Sequence, residues 1–318
     1  MRGDIPMPLM LKPVLQERLW GGTNLSQYGY VLPNDHIGEV WGISAHPNGA
    51  NEILNAPYQG MTLDEVWDTY PKLFGEFPTK KFPLLTKILD ATQKLSVQVH
   101  PDDTYAYEFE NGEYGKTECW YILDAKPGAE IIYGTNAESK EMLEKLLDEH
   151  RFEELFKRVP VEPGDFFYVP AGTVHGIGEG IIILETQQSS DTTYRIYDYD
   201  RRDQNGQLRP LHIEKSKDVI QFGDENPNVI PSTEVVETHK KTTYVKNQFF
   251  TVVKWDIDGT LNYMKPREFV LVSVLEGQGE LIADGEIYPI EKGNHFILTA
   301  EDLDNVFEGE LTLMISYV

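Results

Sequence analysis

The amino-acid sequence predicts a mainly β protein: two jelly-roll β-barrels in tandem with a small helical insert. Three observations carry this prediction. Apolar or alternating segments of strand length recur along the chain, a polar segment with two prolines at 221–234 divides it, and a weak repeat relates the two sides. With 318 residues, 40% of them hydrophobic and 25% charged, the composition is ordinary globular and large enough for two moderate cores.

The first 60 residues are rich in Gly, Pro and Asn, and short apolar runs such as Val40 to Ile43 read as strands between turns. Thr62 followed by Glu65 is a capping-box signal, and Leu63, Val66, Trp67 and Tyr70 recur at helical spacing up to Pro71, which predicts a short helix. Strand-length segments follow at 84–90, 95–100, 118–124, 130–133, 165–169, 181–186 and 193–197. They are interrupted at about 138–158, where Met142, Leu143, Leu146, Leu147, Phe152, Leu155 and Phe156 make an amphipathic stripe. That stretch predicts a helical insert packed outside the sheet. After the expected linker 221–234, strands are predicted at 249–255, 269–275, 279–283, 286–290, 294–298 and 311–317, with no helix.

Setting 162–175 over 291–304 brings Glu, Gly, Phe and Ala into register, aligns Asp165 with Asn294, and aligns His175 with Asp304. Duplication with loss of a ligand histidine explains both the likeness and the difference. Each copy has the rhythm of the cupin type of small β-barrel. The expected organisation is a metal-binding catalytic unit over 1–222 and a second, metal-free cupin-like unit over 235–318.

The balance of 28 basic against 52 acidic residues, a net charge of −24, repels nucleic acid and anionic membranes. Neither is an expected partner. No apolar run approaches the roughly 20 residues needed to span a bilayer, the N-terminus lacks a signal-peptide pattern, and the single cysteine suits a reducing compartment. A cytoplasmic protein is expected. An anionic substrate would need cations gathered locally, and Lys116, Arg195, Arg201 and Arg202 are the candidates.

Three short stretches, QVH at 98–100, KTEC at 116–119 and PAGTVHG at 170–176, supply donors for one metal ion. In an extended chain Gln98 and His100 share one face and Lys116 and Glu118 share one face, whereas Cys119 points away. His175 follows a Pro-containing turn that can bring its strand end beside the others. Two imidazoles, a carboxylate and an amide oxygen form a donor set with room for a substrate. Asp191 and Arg195, four residues apart, keep to one side of the chain and read as a pair. His212 and His295 lack such company and read as structural or surface residues, while Trp20 with Gly21 and Gly22 suits either a sugar-stacking wall or a plugged turn.

The motifs RLWGG (18–22), PLLTKILDA (83–91), QVHPDD (98–103), GKTECWYIL (115–123), PGDFFYVPAGTVHGIG (163–178) and SSDTTYRIYDYDR (189–201) together resemble the type I mannose-6-phosphate isomerases, in their short bacterial form. The resemblance runs along nearly the whole chain. It implies zinc, one ion per chain, held by Gln98, His100, Glu118 and His175, with Arg195 catalytic and Lys116 and Asp191 beside it. It further implies interconversion of mannose 6-phosphate and fructose 6-phosphate through an enediolate. Longer members carry a histidine before the lysine of the KTE segment, where this chain has Gly115. Lys116 is expected to act as proton shuttle or oxyanion donor, with a pKa lowered by the metal. Two rival readings remain: a non-haem iron cupin oxygenase, which two histidines and a carboxylate also suit, and a non-catalytic sugar-binding bicupin.

Overall fold

The computed structural model describes residues 7–203, 205–223 and 229–318. The first six residues of the N-terminus and residues 224–228 of the expected linker lie outside them. The described strands form three antiparallel sheets. A six-stranded sheet runs Phe166–Val169, Glu118–Ala125, Ile181–Gln188, Leu84–Ala91, Ile37–Ile43, Val14–Gly22, and a five-stranded sheet runs Tyr194–Tyr197, Val97–Val99, His175–Gly176, Glu130–Thr135, Phe156–Pro160. Between these two faces lies an apolar layer that includes Trp20, Leu89, Trp120, Ile122, Ile131 and Ile183. The candidate site opens from that layer.

The nine-stranded sheet holds the C-terminal strands from Ser232 onward. It also takes in two segments from the far end of the chain: Leu9–Lys12 pairs with His295–Leu298, and Glu52–Ile53 pairs with Leu9–Lys12. Burial of Leu9 and Leu11 in the large core between the halves drives this exchange.

The duplicated turn is visible in the backbone. Gly164 and Gly293 both have positive φ, at 95° and 89°. Asp165 Oδ2 accepts from Glu162 N–H at 2.8 Å, and Asn294 Oδ1 accepts from Glu291 N–H at 3.1 Å. Aspartate and asparagine build the same turn because both place an oxygen where this backbone amide needs one.

The helix at Leu63–Thr69 forms where the capping signal predicts it, with Thr62 N–H donating to Glu65 at 2.9 Å. The insert differs from one continuous helix. Lys140–Asp148 is capped by Ser139, the chain turns through His150 at φ 54°, Phe152–Leu155 is a single turn, and Phe156–Pro160 is a strand of the five-stranded sheet. Leu143, Leu146, Leu155 and Phe156 still bury their stripe against Val97, Val99 and Ile196, so helical spacing and strand burial use the same residues. The end of the expected linker belongs to a strand: Ser232–Val236 pairs with His239–Lys246. Threonines and lysines on an outward face mask that hairpin from a hydrophobic pattern. Two short helices, Asp103–Phe109 and Ile213–Val219, were not legible. Among the described residues no helix is long and apolar enough to cross a membrane.

Candidate active site

Strand alternation aims the donors. Val97 and Val99 are fully buried in the core beneath the insert, which turns Gln98 to the opposite face, and His175 sits directly across from Gln98 in the ladder. Glu118 opens the neighbouring sheet's strand opposite Gln187 and Val169. Cys119 points into the other core, buried, and burial pushes its thiol pKa up. It is no ligand.

His100, Glu118 and His175 converge, with ligand atoms all within 4.8 Å of one another. His175 Nε2 lies 3.3 Å from Glu118 Oε1, His100 Nε2 lies 3.5 Å from Glu118 Oε2, and the two Nε2 atoms are 3.1 Å apart. Each Nδ1 donates to a backbone carbonyl, His100 to Thr192 and His175 to Thr173, both at 2.8 Å. The tautomer follows: both Nε2 atoms carry lone pairs. Two lone pairs facing each other beside a carboxylate repel unless a cation lies among them, so this donor set fits a divalent metal. Burial, with Lys116 and the other imidazole adding to it, holds the His100 pKa far below the ordinary range, and burial brings that of His175 down to about 4. Both rings are therefore neutral and able to ligate near pH 7. Gln98 turns its Nε2 toward His175 at 3.4 Å and its Oε1 toward Ser96 at 3.4 Å. Offering oxygen to the centre needs a half-turn of the terminal amide.

Lys116 lies 3.0 Å from Glu118, 3.6 Å from Glu185 and 3.1 Å from His100 Nε2. Burial alone would lower its pKa, but the carboxylates of Glu118 and Glu185 outweigh it and raise it. The shift of the chain by itself is thus opposite to the lowering expected beside a metal. Burial and Glu118 push Glu185 up to about 7, against Lys116 and Lys87. Lys116→Met should leave these two carboxylates buried without their shared cation. Metal-free Lys116→Met is expected to lose about 3–5 kcal/mol in a denaturant titration, and a loss under about 1 kcal/mol would show the ammonium to be stabilising nothing.

These groups line a cavity of 310 Å³. Gln98, Lys116, Glu118, Asp191 and Arg195 all reach it, and Trp20 forms part of its wall. Arg201 and Arg202 are not among its lining residues: Arg201 pairs with Asp198 at 2.6 Å, and Arg202 is exposed and donates to Gly206. The cations found there instead include Arg18, Lys87 and Arg209. Five basic residues (with Lys116 and Arg195) thus face four acidic ones, Glu39, Glu118, Glu185 and Asp191. This reverses locally the net charge of −24. Glu39 accepts from Arg18 at 2.8 Å and Trp41 at 2.7 Å; despite burial, Lys87 and Arg18 hold its pKa down at about 2.

Asp191 and Arg195 do not pair with each other. Asn48 donates to Asp191 Oδ2 at 2.9 Å, and Arg195 donates to the Pro210 carbonyl at 2.9 Å. Lys87 and Glu185 escaped sequence reasoning, although a signal existed: each is a charge inside a strand buried at all eight positions, and they sit opposite each other in the ladder. At Gly115 an added Cβ would lie 2.4 Å from the Asp102 carbonyl carbon and 2.5 Å from Asp103 N. The helix Asp103–Phe109 starts there, so the backbone fills the place where longer members carry a histidine. His295 is buried and held by Ser273 Oγ and the Tyr30 hydroxyl, each at 2.8 Å.

Comparisons with known proteins agree with this architecture. Residues 9–122 match the phosphomannose isomerase type I catalytic domain family, and residues 240–318 match the mannose-6-phosphate isomerase cupin domain family. The chain is 48% identical to mannose-6-phosphate isomerase ManA of Bacillus subtilis over 98% of its length and 99% of the relative's. It is also 48% identical to mannose-6-phosphate isomerase of Streptococcus mutans, over 98% of each. A crystal structure of the mannose 6-phosphate isomerase from Bacillus subtilis superposes with a TM-score of 0.95 at 45% identity, covering 98% of this chain and 99% of that one. With these matches spanning nearly its full length, and with the motifs of the metal-donor cluster in place, the chain belongs to the type I phosphomannose isomerase family.

Proposed function

We propose that this protein is a mannose-6-phosphate isomerase, interconverting mannose 6-phosphate and fructose 6-phosphate through an enediolate, with one zinc ion held by His100, Glu118, His175 and Gln98. The observation that carries this reading is the convergence of two neutral imidazoles on one carboxylate, Glu118, that itself lines a cavity rich in cations. When bound, the metal supplies Lewis-acid stabilisation of negative charge on the sugar oxygens without redox chemistry. The chain's own residues do the rest. Arg195 reaches the cavity and offers its guanidinium to the developing oxyanion or the phosphate. Lys116 donates to a substrate oxygen from beside Glu118, and Asp191, exposed at the rim, takes part in moving a hydroxyl proton. Trp20 and Trp120 give the pocket an apolar wall against a sugar face.

The chemistry belongs to the 1–222 portion, and 235–318 is its metal-free counterpart, to which Leu9–Lys12 is added. A cytoplasmic place fits a lone buried cysteine and a phosphorylated substrate. The relatives above are isomerases by name, which leaves the oxygenase and the non-catalytic module without support. The test is a coupled assay for fructose 6-phosphate before and after chelation. Turnover should vanish on chelation and return with stoichiometric zinc. Full activity in metal-free protein, or recovery with ferrous iron and not zinc, would falsify the reading.

A further inference from the structure

Arg195 lies on the Tyr194–Tyr197 strand, which among the described residues is the edge of its sheet and is paired on one side only, with Val97–Val99. The ladder shifts register between Arg195 and Tyr197. An edge strand with an irregular ladder fixes its side chains poorly unless something closes its open side. Here one residue does. His212 Nδ1 accepts from the Arg195 backbone N–H at 3.0 Å, and the His212 backbone N–H donates to the Arg195 carbonyl at 2.7 Å. Two residues earlier, the Pro210 carbonyl accepts from the Arg195 guanidinium at 2.9 Å. Both outward backbone groups and one guanidinium nitrogen of Arg195 are thereby held by residues 210–212.

We propose that His212 is a positioning residue of the active site: by closing the open edge of the strand at Arg195, it sets where the guanidinium ends in the cavity. The inference rests on the reading that Arg195 touches substrate. The clamp needs an unprotonated Nδ1, since a protonated one would meet the Arg195 N–H donor to donor. Burial, with Arg195 and Lys215 beside it and Glu110 opposing, holds the His212 pKa below its ordinary value. The helix Ile213–Val219 starts at the next residue, and Ser216 Oγ donates to the His212 carbonyl at 2.8 Å, so the imidazole stands on a fixed base.

The test compares full-length His212→Leu, His212→Asn, His212→Gln and Arg195→Ala, reading kcat and KM for mannose 6-phosphate, metal per chain and melting temperature. Displacing a catalytic group by about 1 Å costs on the order of 100-fold, so His212→Leu should lower kcat roughly 10- to 100-fold with metal content unchanged. Asparagine places its Oδ1 where Nδ1 stands and should keep kcat within about three-fold of wild type, whereas glutamine, one methylene longer, should behave like leucine. A purely structural role would not separate asparagine from glutamine. The proposal is overturned if His212→Leu retains wild-type kcat, or if asparagine does no better than leucine. Should His212→Leu fail to fold, the contrast between asparagine and glutamine decides alone. Full turnover in Arg195→Ala would bring down the reading beneath, while its loss beside an unimpaired His212→Leu removes only the clamp.

Discussion

Glu118→Gln is expected to lower turnover by at least about 1000-fold and to strip the protein of bound metal, because a metal's stabilisation of oxyanion charge is worth several kcal/mol. The replacement keeps the shape of the side chain and removes its charge. Of the three converging donors only Glu118 is anionic, and its two oxygens face His175 and His100 at 3.3 and 3.5 Å. An amide leaves two neutral imidazoles beside the Lys116 ammonium, a site with positive potential and little attraction for a dication. The fold should persist, since Lys116 retains Glu185 at 3.6 Å. Metal per chain after dialysis, kcat and a thermal melt together check this. Cys119→Ser is the control: its side chain points into the opposite core, so metal and rate should stay as in wild type. A Glu118→Gln protein that keeps both metal and turnover would place the chemistry elsewhere.

Arg195→Ala carries the second large expectation, a fall in kcat on the order of 100- to 1000-fold, the usual effect of removing a donor aimed at developing charge. Metal content should not move. Among the described residues the hydrogen bonds of the Arg195 backbone N–H and guanidinium run to His212 and Pro210, and none is made to His100, Glu118 or His175. Arg195→Lys should restore little, because a single ammonium cannot reproduce a planar fork held at one end by a carbonyl and free at the other. Turnover above a tenth of wild type in the alanine variant would make Arg195 structural.

The faces taken by the donor side chains were legible because strand alternation is local. Period-two alternation within QVH and around KTEC decides which side chains share a face, and that rule survives whatever the strands later pair with. Lys116 and Glu118 meet at 3.0 Å for this reason, and Cys119 turns away for the same one. Charge pairing was less legible. Asp191 and Arg195 share a spacing but not a contact, since the Asn48 loop reaches one and Pro210 the other. Arg201 looked like a pocket cation, yet Asp198, three residues before it, neutralises it and also binds Arg209 at 2.6 Å. The insert was half legible: its apolar stripe was real, but His150 breaks the helix and Phe156–Pro160 continues as a strand because a sheet edge stood ready to receive it.

Alternation, turn chemistry and motif order in the chain alone determined the β class, the duplicated turn at 162–165 and 291–294, and the side chains that form the donor cluster. Tertiary structure alone decided which distant strands became neighbours: Leu9–Lys12 against His295–Leu298, Lys87 across from Glu185, and Arg195 beneath His212. The reason is that local pattern dictates a residue's face at short range, whereas long-range pairing is selected by the total apolar surface buried when the whole chain closes, a quantity no single segment carries.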